Sequence, residues 1–175
     1  MNPYSRLARQ AVEEHFDTGK TLKPPADLPM ELLEKKAGVF VTIYNQKELR
    51  GCIGTFLPTQ KNIAQEIIAN SISAATVDYR FQPISLEELP QLSYEISILT
   101  EPELVQSLKD LDPKKYGVIV RSRHRRSGLL LPDLDGVDTI EQQLSIAASK
   151  GGIDSDSDPI EIYRFMTIKY RNKDK

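Results

Sequence analysis

The segment Leu49–Phe56, LRGCIGTF, sets the chain's single cysteine among an arginine and two glycines. In an extended strand, side chains at i and i+2 share a face. Arg50 and Cys52 are then expected to point together, with Ile53 opposite. A guanidinium beside a thiol favours the thiolate, the form of cysteine that attacks electrophiles. Glycine within a strand marks a bulge or a close approach of a ligand or another backbone. Cys52 is therefore a candidate nucleophile, and Arg50, Gly51, Gly54 and Thr55 are candidate binding positions. A plainer reading stands beside it. A free cysteine often behaves as a small buried hydrophobe, and two glycines can be no more than a kink in a sheet. A nucleophilic cysteine also needs a base, and sequence context places neither of the two histidines, His15 and His124, beside Cys52.

Two charged runs suggest other chemistry. Arg121-Ser122-Arg123-His124-Arg125-Arg126 could bind phosphates or nucleic acid. It is flanked by the apolar YGVIV and GLLLP, which also suits a solvated hairpin tip whose charges discourage edge pairing. No nucleic-acid recognition motif accompanies it, so the hairpin reading is preferred. Asp154, Asp156 and Asp158 open like a calcium loop. The sixth position, which should be glycine, is Pro159, and the twelfth, which should be a bidentate glutamate, is Phe165. The run is read as a solvated loop and not a metal site. No phosphate-cradling loop, dinucleotide fingerprint or HExxH is present, and no cofactor is expected.

Several periodic elements surround these positions. Tyr4, Leu7, Ala8, Ala11, Val12 and Phe16 recur at helical spacing and predict a helix stopping near Gly19. Pro24 and Pro25 enforce an extended stretch, and Leu28–Lys36 reads as a short helix. VFVTIY (Val39–Tyr44) is a strand by composition. With the polar turn Asn45–Glu48 and the cysteine segment it forms a hairpin. Ile63, Ala64, Ile67, Ile68, Ile72 and Ala75 mark the clearest helix, followed by Asp78–Phe81 as a loop. Leu92–Ile98 alternates as a half-buried strand, and Tyr116–Val120 with Leu129–Leu131 suggests a second hairpin. Thr139 and Gln142 resemble a capping box, with Gly151 and Gly152 ending that helix. Ile160–Tyr170 alternates again and reads as one closing strand. Helices and strands mix without strict βαβ order, which favours an α+β fold with a mainly antiparallel sheet and flanking helices.

Composition sets the outer limits. With 175 residues, 39% apolar and 27% charged, the chain reads as one domain, 1–175, with room for two lobes, able to bury a core without disulfides. A net charge of −2 supplies no global field toward nucleic acid or lipid. No apolar run approaches a membrane span and the first residues lack the apolar core of a signal peptide. A cytoplasmic location is the default expectation.

Taken together, GVFVTIY (Gly38–Tyr44), LRGCIGTF, DYRF (Asp78–Phe81), YEISILTEPE (Tyr94–Glu103), GLLLPDL (Gly128–Leu134) and IYRFMTI (Ile162–Ile168) resemble, in order, the AMMECR domain family. The resemblance covers nearly the whole chain. It implies an α+β fold with a larger and a smaller lobe, and no defined biochemical role. The family's motif positions fall on Arg50, Gly51, Cys52, Gly54, Asp78, Arg80 and Phe81. Prokaryotic relatives are often associated with a radical-SAM-type protein and with a Memo-like protein resembling extradiol dioxygenases, which implies a modification pathway. Two readings of function follow: an enzyme component using Cys52, or a non-catalytic binding or scaffold module presenting the same motif to a small molecule or a protein.

Overall fold

A computed structural model describes residues 2–154 and 158–171. Asn2 opens helix α1 (Pro3–Thr18) by accepting the Ser5 N–H at 2.9 Å, and Gly19, at φ 71°, closes it. A non-glycine residue would be strained there. A five-residue helix, α2 (Met30–Glu34), precedes the hairpin of β1 (Val39–Asn45) and β2 (Glu48–Thr55). Helix α3 (Ile63–Thr76) is capped by Asn62, whose side chain accepts the Gln65 N–H. A 3-10 turn, Leu86–Gln91, leads into β3 (Leu92–Leu99). The Ser85–Glu88 capping box that starts this turn is an S-x-x-E signature present in the sequence.

The chain divides into two compact units. The first holds residues up to Ile98 together with those from Ile168 onward. Its sheet has the order β2-β1-β3-β8, with β8 spanning Thr167–Arg171. Strand β1 shows why one face of this sheet is covered. Val39, Val41 and Ile43 are fully buried in a core with Leu7, Ala11 and Ile67 of α1 and α3, whereas Phe40, Thr42 and Tyr44 are only half-buried. That alternation is the period-two signature of a strand with one core face.

The second unit, residues 99–167, contains a sheet of order β4-β7-β5-β6. Its strands are β4 (Glu103–Leu104), β5 (Gly117–Ser122), β6 (Ser127–Leu130) and β7 (Ile160–Phe165). Helix α4 (Ile140–Lys150) packs on it through Ala147 and Ala148, against Val118, Val120 and Leu130. Thr139 and Gln142 do form a capping box. The β1–β2, β1–β3, β4–β7, β5–β6 and β5–β7 pairs are antiparallel, and the fold is α+β.

Two expectations change. The stretch 160–170 is not one strand: β7 ends at Phe165 in the second sheet, and β8 starts at Thr167 in the first. Both halves alternate, so periodicity alone cannot find the break. The basic run is only partly a loop. Arg121 and Ser122 belong to β5, with Ser122 buried, and the exposed turn is 123–126, with Arg125 at φ 61°. Of the aspartate-rich segment, Asp156 lies outside the described residues, as do its neighbours Ser155 and Ser157.

Candidate functional site

Strand β2 lies at the edge of its sheet, hydrogen-bonded to β1 on one side only. An open edge leaves a row of N–H and C=O groups seeking partners. At Cys52 both are occupied by side chains. Asp78 Oδ2 accepts the Cys52 N–H at 2.8 Å, and Arg80 Nη2 donates to the Cys52 carbonyl at 3.1 Å. The carboxylate and guanidinium also grip each other, Nε to Oδ1 at 2.9 Å and Nη2 to Oδ2 at 2.7 Å. Asp78 and Arg80 thus do for one residue of β2 what a neighbouring strand would do. Asp78 is buried, and the hydrogen bond from Arg80 holds its carboxyl well below the usual carboxylate range, against the opposing effect of burial. The turn is closed by Phe81 N–H to Asp78 O at 3.0 Å, and the Arg80 guanidinium lies 5.4 Å from the centre of the Phe81 ring.

Arg50 has a different job from the one its spacing suggests. The β1–β2 register pairs Ile43 with Gly51 and Tyr44 with Leu49, which leaves Arg50 as the extra residue of a β-bulge. Simple alternation does not carry across such a bulge. The Arg50 guanidinium meets Glu88 in a two-pronged pair, at 2.7 and 3.0 Å, and donates to the carbonyls of Gln82 and Pro83. Glu88 also accepts the Ser85 N–H, and its pKa is lowered to about 2, mainly by the hydrogen bond from Arg50. The expected pairing of Arg50 with the thiol is therefore replaced by a pairing with an acid. A cavity of about 420 Å³ opens beside that pair, lined by Leu49, Arg50, Glu88 and Asn45 among others, and Cys52 is not part of its lining.

Cys52 sits opposite Thr42 in the register, and its Sγ is 3.3 Å from Thr42 Oγ1. Thr42 lies on the face away from Val41 and Ile43, so the half-buried thiol belongs to the face opposite the α1/α3 core. His15 packs edge-on against Phe16 within α1, and His124 sits in the β5–β6 turn of the second unit. Among the described residues no group of three or more His, Cys, Asp or Glu converges on a metal-sized space.

Gly51 and Thr55 face α3, and Gly54 faces the half-buried Phe40 of β1. A Cβ on Gly51 would fall 2.2 Å from the Ala74 carbonyl oxygen of α3, and one on Gly54 would fall 2.3 Å from the Phe40 ring. The close approach that these glycines permit is thus made by the protein's own atoms. Thr55 turns toward α3. Its hydroxyl donates to Glu66 at 2.5 Å and accepts from Asn70 at 3.2 Å. Glu66, only 1% exposed, also takes the N–H groups of Thr59 and Gln60 and the Thr59 hydroxyl. Sequence reasoning passed over Glu66 and Glu88. The signal for Glu66 was an acid on the buried stripe Ile63, Ile67, three residues after the first.

The AMMECR1 family matches this chain over residues 5–170. The chain belongs to the AMMECR1 family. A protein of Thermotoga maritima is 48% identical to it over 97% of this chain and 98% of that protein. A protein of Clostridium acetobutylicum is 43% identical over 97% of this chain, which spans only 36% of that longer protein. The crystal structure of the uncharacterized protein PH0010 from Pyrococcus horikoshii superposes with a TM-score of 0.82 at 34% identity, covering 97% of this chain and 94% of that one. No helix among the described residues of this AMMECR1-family chain is long and apolar enough to cross a membrane.

Proposed function

We propose that this chain is a binding module whose recognition surface is built on Leu49–Phe56 and the Asp78–Phe81 turn fastened to it. The observation that carries this reading is the double clamp on the Cys52 main chain by Asp78 and Arg80. Preorganisation of this kind lowers the ordering cost of binding. Tyr79, between the clamping residues, is 95% exposed. A tyrosine on a rigid support suits partner recognition, because it offers large contact area for little lost side-chain freedom. The family setting suggests the radical-SAM-type and Memo-like proteins as partners, within a modification pathway. A small molecule is the other class of ligand.

A second reading, Cys52 as a nucleophile, keeps one observation in its favour: the thiol is only half-buried and adjoins the Thr42 hydroxyl. Against it, the two arginines of the motifs, Arg50 and Arg80, are both engaged with carboxylates. Nucleic-acid binding through Arg121–Arg126 is weaker still, because few cations give only weak, salt-sensitive contacts.

The test is calorimetric titration of the purified radical-SAM-type and Memo-like proteins into wild type, Cys52→Ser, Tyr79→Ala and Asp78→Asn. The module reading expects binding that survives Cys52→Ser and weakens at least tenfold in Tyr79→Ala. Binding unaffected by Tyr79→Ala and Asp78→Asn would overturn it. A covalent adduct on Cys52, seen by intact mass and absent in Cys52→Ser, would replace it with the nucleophile reading.

A further inference from the structure

The first unit contains a second cavity, of about 550 Å³, lined by residues of the extended stretch Thr21–Pro24, the loop Thr59–Lys61 and helix α3. Its volume falls within the range of small-molecule pockets. Leu22, Pro24, Ile68 and Ala69 give it an apolar floor. Lys23 and Lys61 reach it from two different segments, and no acidic residue lines it. No ion pair engages either lysine among the described residues. In a chain of net charge −2, two exposed lysines bordering an apolar floor with no acid among the lining residues make a local reversal of sign.

The loop wall is firmly built. The buried Glu66 accepts the N–H groups of both Thr59 and Gln60, at 2.8 Å each, and the Thr59 hydroxyl at 2.9 Å. Asn62 Nδ2 donates to the Leu33 carbonyl and Ile63 N–H to the Lys35 carbonyl, tying the end of the loop to the α2 region. The Glu66 carboxylate is turned to these donors and to the Thr55 hydroxyl, and it does not line the cavity. On the other wall, Pro24 and Pro25 fix the backbone of the extended stretch. A preformed apolar cavity with cations and no anions selects by both shape and charge.

We infer that this cavity is a binding site for a small anion with an apolar body, of the size and kind of a medium-chain carboxylate. The tail lies on Leu22, Pro24, Ile68 and Ala69, and the carboxylate meets Lys23 and Lys61. The site is separate from the Cys52 clamp, and its fate does not depend on the function proposed above.

The experiment compares octanoate, octanol and octylamine, which share a tail and differ in head charge. Each is titrated into the full chain and followed by amide chemical shifts. Octanoate is expected to bind with shifts clustered at residues 21–24, 59–61 and 65–69, and octanol and octylamine to bind at least about tenfold more weakly. Lys23→Gln/Lys61→Gln is expected to remove that preference while leaving the fold intact, and Ala69→Phe, which fills the floor, to abolish binding of all three. A circular-dichroism melt confirms that each variant folds, and Ala69→Leu replaces Ala69→Phe should the latter unfold. The inference is overturned by equal binding of octylamine and octanoate, by octanoate shifts that lie elsewhere, or by the absence of binding at millimolar concentration.

Discussion

Asp78 joins two motifs that lie 26 residues apart in the chain, and its role is open to a direct test. Asp78→Asn retains at most one good acceptor, breaks the charge pair with Arg80 and leaves the Cys52 N–H poorly matched. Chemical denaturation should show a loss of about 2–4 kcal/mol. Glu88 allows a test of sign. Its folded pKa, about 2, lies below its ordinary 4.5, so its contribution is complete above the ordinary value and is lost as pH falls toward the folded one. The stability gap between wild type and Glu88→Gln, on the order of 2–3 kcal/mol near neutrality, should therefore shrink steadily from pH 5 to about pH 2. Gly51→Ala drives a Cβ into the Ala74 carbonyl and should cost about 1–3 kcal/mol, measured in the same way. The sequence draws attention to Arg50, Cys52, Asp78 and Arg80, but not to the partners they have in the structure. Arg50 and Cys52 look like neighbours until a bulge intervenes, and no local pattern reveals that the arginine answers to Glu88 or that Cys52 is held by Asp78.

The strand edge that Asp78 and Arg80 occupy makes a prediction about β2 as a unit. Asp78→Ala/Arg80→Ala should free the main chain at Cys52 and let copies pair along β2. Analytical ultracentrifugation should then show concentration-dependent association that wild type lacks. The first helix and α3 could be read from periodicity, α4 from its capping box and closing glycines, and the β1–β2 hairpin from composition and its polar turn, because each of these signals is local. The 3-10 turn at Leu86–Gln91 went unread, although its capping box was in the sequence. The break between β7 and β8 could not be read, because which sheet a strand joins is decided by partners distant in sequence.

Sheet order shows how the two units are strung. The chain leaves the first unit after β3, forms residues 99–167, and comes back as β8 beside β3. The exit and return points meet: Thr100 N–H donates to the Met166 carbonyl and Met166 N–H to the Thr100 hydroxyl, both at 2.9 Å. Composition and the family resemblance suggest one chain of two lobes, and the described residues hold a cluster of buried residues in each unit. Neither charge nor hydropathy changes along the sequence in a way that marks the insertion, since its two boundaries fall at strand ends.

That meeting of ends couples the units through the chain itself. While the inserted unit is folded, it delivers β8 to β3 like a short tether. Once it melts, the same residues become a long floppy loop, and holding its ends together costs on the order of 2–3 kcal/mol more. A Cβ at Gly128 would collide with the Ala147 carbonyl, so Gly128→Val should melt the inserted unit selectively. Hydrogen exchange should then quicken at the amides of β8 in the host sheet, although the substitution lies in the other unit. The hinge of this effect is entropic, and it asks for no contact between the two units.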